Sequence, residues 1–186
     1  MVLNGIRSGA VATAAESRGN EREQAMTVSL RESVAIISDP RSLDASVEEV
    51  FRLMLGLDCR RSNGPQARET ESVTAVVGFG GVLSGACVLS CGASAALKIA
   101  AHMTGMDFGE IDDTVKDGIG EICNMVAGSW KSKVPELAAH CGLSVPAVIT
   151  GRDYNLRVQA PEFQLHHVFS FTDLTFAVTI VCDGLQ

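Results

Sequence analysis

Asp117, Glu121 and Asn124 stand four and three residues apart in a stretch, from Asp112 to Lys133, that carries the apolar repeat of a helix. At about 100° per residue they fall within a stripe roughly 60° wide, while Ile111, Val115, Ile119, Ile122, Val126 and Trp130 lie opposite. One stripe packs and the other presents two carboxylates and an amide. A polar stripe of this kind is what any surface helix shows, and that reading stands beside a functional one. Three features favour function. Asn is a poorer helix-interior residue than Glu, Gln or Lys, so solvation alone does not select it at the centre of the stripe. Gly118, Gly120 and Gly128 each cost about 1 kcal/mol relative to Ala in such positions. Gly128 shares the face of Asn124 and leaves room for another backbone to approach. These features describe a docking surface without naming a reaction.

Bulk properties narrow the partners. A chain of 186 residues that is 46% hydrophobic can bury one substantial core, which argues for a single domain and a single site. A formal charge of −7 repels nucleic acid and anionic membrane surfaces, so a protein or small-molecule partner is expected. No apolar run reaches the roughly 18 residues of a membrane span, and the amino terminus lacks the pattern of a secretory signal, so a cytoplasmic location is expected. Cys59, Cys87, Cys91, Cys123, Cys141 and Cys182 are scattered through apolar segments and read as buried reduced thiols. No Cys-x-x-Cys pair is present, and His166 and His167 should point to opposite faces of an alternating strand, so no metal site is expected. Neither a Gly-rich phosphate cradle nor a nucleophile elbow is present, which disfavours a self-contained phosphoester hydrolase.

The elements that must position the stripe follow in order. Residues 1 to about 27 have the composition of a flexible tail, within which Met26 is a candidate alternative start, and 28–186 form the expected domain. The spacing of Val47, Val50, Phe51, Met54 and Leu55 predicts a first helix over Asp44 to Leu57, with Ser42 and Asp44 as caps. Val73 to Phe79 and Val82 to Leu89 predict a hairpin turning at Gly80-Gly81. A second helix over Ala93 to Met103 should close at Gly105, and the third should run from Asp112 and Asp113 at least to Lys133. Pro146 should introduce a strand at Ala147-Val148-Ile149, and Leu165 to Phe171 with Leu174 to Cys182 predict a second hairpin. The order implies an α+β fold, a largely antiparallel sheet packed against long helices.

Asp117-x-x-x-Glu121-x-x-Asn124 followed by Pro146 resembles the signature of the CheC, CheX and FliY family of chemotaxis phosphatases. Gly120-Glu121-Ile122-Cys123-Asn124-Met125-Val126-Ala127-Gly128 is similar to the Gly-Glu-Ile-x-Asn-Met-x-x-Gly run of CheX-type members, and Pro146-Ala147-Val148-Ile149-x-Gly151 to their Pro-x-Val-Ile-x-Gly segment. The resemblance covers residues 40 to 184 in element order and 110 to 151 in specific motifs. Family members carry one or two copies of the signature. In the first helix Asp44 and Glu48 hold the right spacing, but Phe51 takes the place of the Asn, and a phenyl ring cannot orient water. One site per chain is expected, with Phe51 in the core.

The resemblance implies a substrate, the aspartyl phosphate of a CheY-like response-regulator receiver domain, and a reaction, its hydrolysis in chemotaxis or related two-component signalling. It implies that Asn124 positions the water and that Glu121 binds the active-site Lys of the receiver. Asp117 then lines the edge of the docking surface, Gly128 admits the partner and Pro146 supports the turn. The receiver supplies the phosphoacceptor and Mg2+, so the chain needs no cofactor of its own. Lys131 reads as a solvated lysine near the same side. A homodimer is also implied, associated through the sheets, with the Val168 to Cys182 strands as its edge. The competing expectation is a binding module that docks a receiver domain or a flagellar-switch component without catalysis.

Overall fold

Asp39, not Ser42 or Asp44, starts the first helix, α1 (Pro40–Val50), its carboxylate accepting the Arg41 N–H at 2.9 Å and Pro40 taking the first helical position. The computed structural model describes residues 35–67, 69–152, 154 and 162–185; the expected tail over 1–27 lies outside the described residues. After Val50 the helix widens into a π turn, Phe51–Leu55, in which Gly56 N–H reaches the Phe51 carbonyl, and left-handed Gly56 closes it. Each residue of a π turn advances by less than the α-helical angle. Phe51 and Leu55 therefore both stay buried, while Met54, expected in the apolar face, turns outward and is 44% exposed. Asp44 is committed elsewhere: its carboxylate lies 2.7 Å from His167 Nδ1 and 3.6 Å from Arg61 Nη1, fastening α1 to the sheet.

Among the described residues that sheet is antiparallel throughout and has seven strands. They are β1 (Arg60–Arg61), β2 (Ser72–Gly81), β3 (Leu83–Gly92), β4 (Cys141–Leu143), β5 (Ala147–Gly151), β6 (Phe163–Phe171) and β7 (Leu174–Leu185), in the order β1-β6-β7-β3-β2, with β4 and β5 both pairing β2. Both expected hairpins are present. Gly80-Gly81 is not the tight turn of the first, however: both glycines continue β2 and pair with Gly142 and Cys141. Gly81 has φ +110°, and a Cβ there would run into the His140 carbonyl oxygen, so the close arrival of β4 requires glycine. Because β7 lies between β6 and β3, it supplies no sheet edge. The outer side of β6 is the edge, and β1 covers it only at Phe169 and Ser170.

Among the described residues three helices lie on the sheet. These are α1 with its π turn, α2 (Ala93–Thr104), closed by left-handed Gly105, and α3 (Asp113–Ser132), which packs on β2 and β3. A short α4 (Pro135–His140) follows α3. The core beneath them is aromatic at one end, where Phe51 stacks on Phe176 at 4.5 Å with Phe171 edge-on at 5.5 Å, and Phe79 meets Trp130 at 5.3 Å at the other. The α+β class expected from the element order is the architecture observed, extended by β1, α4 and β4.

All six cysteines are free and buried. Burial pushes the thiols of Cys59, Cys91 and Cys182 up to about 12. Cys87 is raised well above its ordinary range, first by its hydrogen bond with Cys123 and then by burial. Thiolate is the reactive form, so the native protein at pH 8 should give almost no colour with an aromatic disulfide reagent and release all its thiols once denatured. Folded-state values above the unfolded value of 9.0 mean that this contribution to stability is intact below pH 9 and lost as pH rises toward 12. The denaturant midpoint should accordingly fall over that interval.

Candidate functional site

Helix α3 is held from behind and at both ends. Asp112 caps it, its carboxylate accepting Val115 N–H at 2.9 Å, and Asp113 pairs with Lys116 at 2.9 Å on the exposed first turn. That contact holds the Asp113 carboxyl below its usual range and the Lys116 ammonium above its own. Val115, Ile119, Ile122, Val126 and Trp130 are fully buried, as the apolar stripe predicts, and Ile111 is half-buried. Cys123 also faces inward, its thiol 3.6 Å from the carbonyl oxygens of Ala75 and Cys87.

The opposite stripe is open. Asp117 and Glu121 are exposed and Asn124 is half-buried, and none of their side chains forms a hydrogen bond or ion pair with another described residue. Their donors and acceptors are available to something outside the fold, while the backbone that carries them is fixed by the buried face.

Two of the three glycines have an internal explanation that the spacing did not show. A Cβ at Gly118 would sit 3.4 Å from Met103 Sδ and 3.8 Å from Ala100 Cβ, so this glycine lets α2 pack close. At buried Gly120 a Cβ would sit 3.3 Å from both Pro146 Cβ and Val148 Cγ2. Gly120 and Asn124 are one turn apart on the helix, so Pro146 borders the amide's side of the stripe. Gly128 is different: the nearest atom to a Cβ there is Leu143 Cδ1 at 4.0 Å, and no described backbone approaches it.

The segment that brings Pro146 in is anchored by residues whose roles sequence reasoning missed. Ser144 N–H donates to the Gly78 carbonyl at 2.9 Å, and the Gly78 N–H donates to Ser144 Oγ at 2.9 Å, tying the chain to β2 just before Pro146. Lys131, read as solvated, is instead a clamp: its ammonium donates to the Cys141 carbonyl at 2.6 Å and the Ala138 carbonyl at 3.3 Å. It joins the last turn of α3 to the start of β4. Its place about 20° from Asn124 around the helix was the only available signal, and the carbonyls it meets come from a short helix and the start of β4, neither of which the spacing revealed. Val145, the residue before Pro146, is 87% exposed.

His166 and His167 occupy opposite faces of β6, the first exposed and 2.8 Å from Thr179 Oγ1, the second buried against Asp44. Among the described residues no group of three His, Cys, Asp or Glu side chains gathers so as to hold a metal ion. Among them, too, no helix is long and apolar enough to cross a membrane. The stripe therefore offers hydrogen bonds and charge, and the chemistry open to it is to orient a water and to bind a cationic group on another molecule.

Residues 73–170 match the family model described as chemotaxis phosphatase CheX. A Thermotoga maritima protein, the CheY-P phosphatase CheX, is 31% identical over 148 residues, spanning 77% of this chain and 96% of that protein. Among solved structures, the chemotaxis protein CheX from Vibrio vulnificus superposes with a TM-score of 0.64 at 24% identity, over 76% of this chain and 94% of its own. The CheX-CheY-BeF3-Mg2+ complex from Borrelia burgdorferi gives a TM-score of 0.62 at 20% identity, over 76% and 96%. FliY from Thermotoga maritima gives 0.56 at 19%, over 75% and 84%; these structures show the shared fold.

Proposed function

This chain belongs to the chemotaxis phosphatase CheX family, and we propose that it accelerates hydrolysis of the aspartyl phosphate on a CheY-like receiver domain. One observation carries the reading: Glu121 and Asn124, one turn apart on the open face of a helix whose other face is locked into the core, make no hydrogen bond or ion pair with another described residue.

An acyl phosphate is already reactive. A catalyst adds mainly the alignment of a water with the phosphorus, so that the new O–P bond forms as the bond to the aspartyl carboxylate breaks. The Asn124 carbonyl accepts a hydrogen bond from that water and its NH2 donates another, which fixes orientation without a strong base. Glu121 meets the active-site Lys of the receiver through a charge-assisted contact and so sets the depth at which Asn124 enters. Asp117 lines the edge of the contact, and Gly128, where a Cβ would meet Leu143 Cδ1 only at 4.0 Å, admits the partner's surface. Pro146 braces the stripe from the β5 side. The receiver provides the phosphoacceptor and Mg2+, in keeping with the composition of the Borrelia complex. The reading also locates the chain in the cytoplasm, and it includes a homodimer formed on the outer edge of β6 in place of β7.

The test is phosphate release from phosphorylated receiver domains. Release no faster than each regulator's own rate, across the receivers of the source organism, would favour the non-catalytic binding module. Under the phosphatase reading Glu121→Ala should raise KM for the phosphorylated receiver between about tenfold and a hundredfold, the loss expected for one charge-assisted hydrogen bond. Initial rates over a range of receiver concentrations measure this, and an unchanged KM removes Glu121 from the contact.

A further inference from the structure

The polar stripe of α3 has an apolar neighbour. Moving around the helix from Glu121 by about 40° leads to Met125, the residue after Asn124, and there the surface falls into a groove between α3 and α1. Its volume is about 440 Å3, and Leu53 and Met54 of the π turn form its other side. Toward the carboxyl end of α3 the walls are tied together, Ser129 Oγ donating to Glu49 Oε2 at 3.1 Å with Lys133 Nζ 4.0 Å from the same carboxylate.

Leu53 is 67% exposed and Met54 44% exposed. On an uninterrupted α-helix Met54 falls in the middle of the buried face; here it lies in the widened last turn, just before Gly56 closes the helix, and faces outward. A π turn of this kind recurs at functional sites, and here it carries two large exposed apolar side chains, Leu53 and Met54, beside the stripe. Methionine is flexible and polarizable, so a groove walled by Met54 and Met125 adapts to an incoming side chain.

We propose that this groove takes an apolar side chain of the same receiver domain whose phosphoryl site meets Glu121 and Asn124, and that it supplies most of the apolar contact in that docking. The inference rests on the phosphatase reading. Two arguments select the occupant. The groove is continuous with the stripe, so a body seated on Glu121 and Asn124 overhangs Met125. Stable protein interfaces also bury about 800 Å2 on each partner, with apolar surface at their centre, and three polar side chains on one helix cannot provide this alone.

Leu53→Glu and Met54→Glu test the proposal, both at exposed positions where the fold tolerates charge. For a receiver on which the wild-type chain is active, each should raise KM about tenfold or more and leave kcat at saturating receiver unchanged. Affinity for the BeF3-activated receiver, by titration calorimetry, should fall by the same factor. Asn124→Ala, measured beside them, should do the reverse, losing kcat with little change in affinity. Unchanged KM and affinity in both groove variants, with Asn124→Ala still inactive, overturns the groove while the phosphatase reading survives. Groove variants that halve the mass in solution and bind receiver normally overturn it in favour of a second copy of this chain. An Asn124→Ala variant as fast as wild type removes the phosphatase reading itself, and calorimetry still decides the groove.

Discussion

Asn124→Ala should bring phosphate release from a phosphorylated receiver down about a hundredfold, to near the receiver's own rate, without unfolding the chain. The magnitude follows from what the amide does. A misplaced or unoriented nucleophile of this kind costs about two orders of magnitude, and nothing else on the open stripe combines an acceptor and a donor on one group. The lack of a stability effect follows from the site's construction. Asn124 is half-buried and makes no hydrogen bond with another described residue, while Ala is the better helix former by about 0.5 kcal/mol. The melting temperature should therefore stay level or rise slightly. Rates at saturating receiver, together with circular dichroism melts of both proteins, measure the two effects separately. A variant that melts with wild type and still releases phosphate at the wild-type rate would sink the assignment of Asn124.

The separation of function from stability in α3 was visible from spacing because both stripes belong to one helix. Asp112 as cap, the buried run from Val115 to Trp130 and the outward Glu121 are all set by local periodicity and local capping. What spacing missed depends on chain that arrives from elsewhere. Gly80-Gly81 has the chemistry of a tight hairpin turn, but β4 pairs with it and draws both residues into the strand. Gly118 and Gly120 stood only as costly helix glycines, and their reason is internal: α2 fills the space beside one and Pro146 with Val148 the space beside the other. Lys131 looked solvated until Cys141 and Ala138 brought their carbonyls to it. Met54 has the position of a core residue in any 3.6-residue count, and it is exposed in the widened last turn where the helix ends. In each case the residue type was consistent with both outcomes and the neighbour decided.

These corrections sharpen the site. Gly118 and Gly120 serve internal packing, Gly128 remains the glycine on the face of Asn124 that no described backbone approaches, and the mechanical support of the stripe becomes explicit. Ser144 on Gly78 and Lys131 on Cys141 fix the two ends of the segment that carries β4 to Pro146, and Pro146 then rests on the helix beside Asn124. An amide that must orient a water to within a fraction of an ångström needs a rigid base. Here that base is assembled from both flanks of the helix as well as from the core beneath it.

Phe51→Asn tests the single-site reading most severely, because it completes on paper the acid, Glu and Asn spacing begun by Asp44 and Glu48. The expected result is loss of the fold, with no second centre gained. Phe51 is fully buried, stacked on Phe176 at 4.5 Å and edge-on to Phe171 at 5.5 Å. Removing a buried aromatic ring costs about 3–5 kcal/mol, and an amide left without partners in its place adds about 1–3 kcal/mol. Domains of this size have about 5–15 kcal/mol to lose, so the variant should melt at least about 10 °C lower or fail to fold. Asp44 could not serve a second site in any case, since its carboxylate is occupied by His167 and Arg61. Phe51→Leu, which keeps most of the apolar volume, should remain folded and release phosphate at the wild-type rate. A folded Phe51→Asn protein with twice the wild-type rate per chain would mean that α1 can carry a second centre; a collapsed melting temperature alongside a normal Phe51→Leu control would leave the open face of α3 as the working surface.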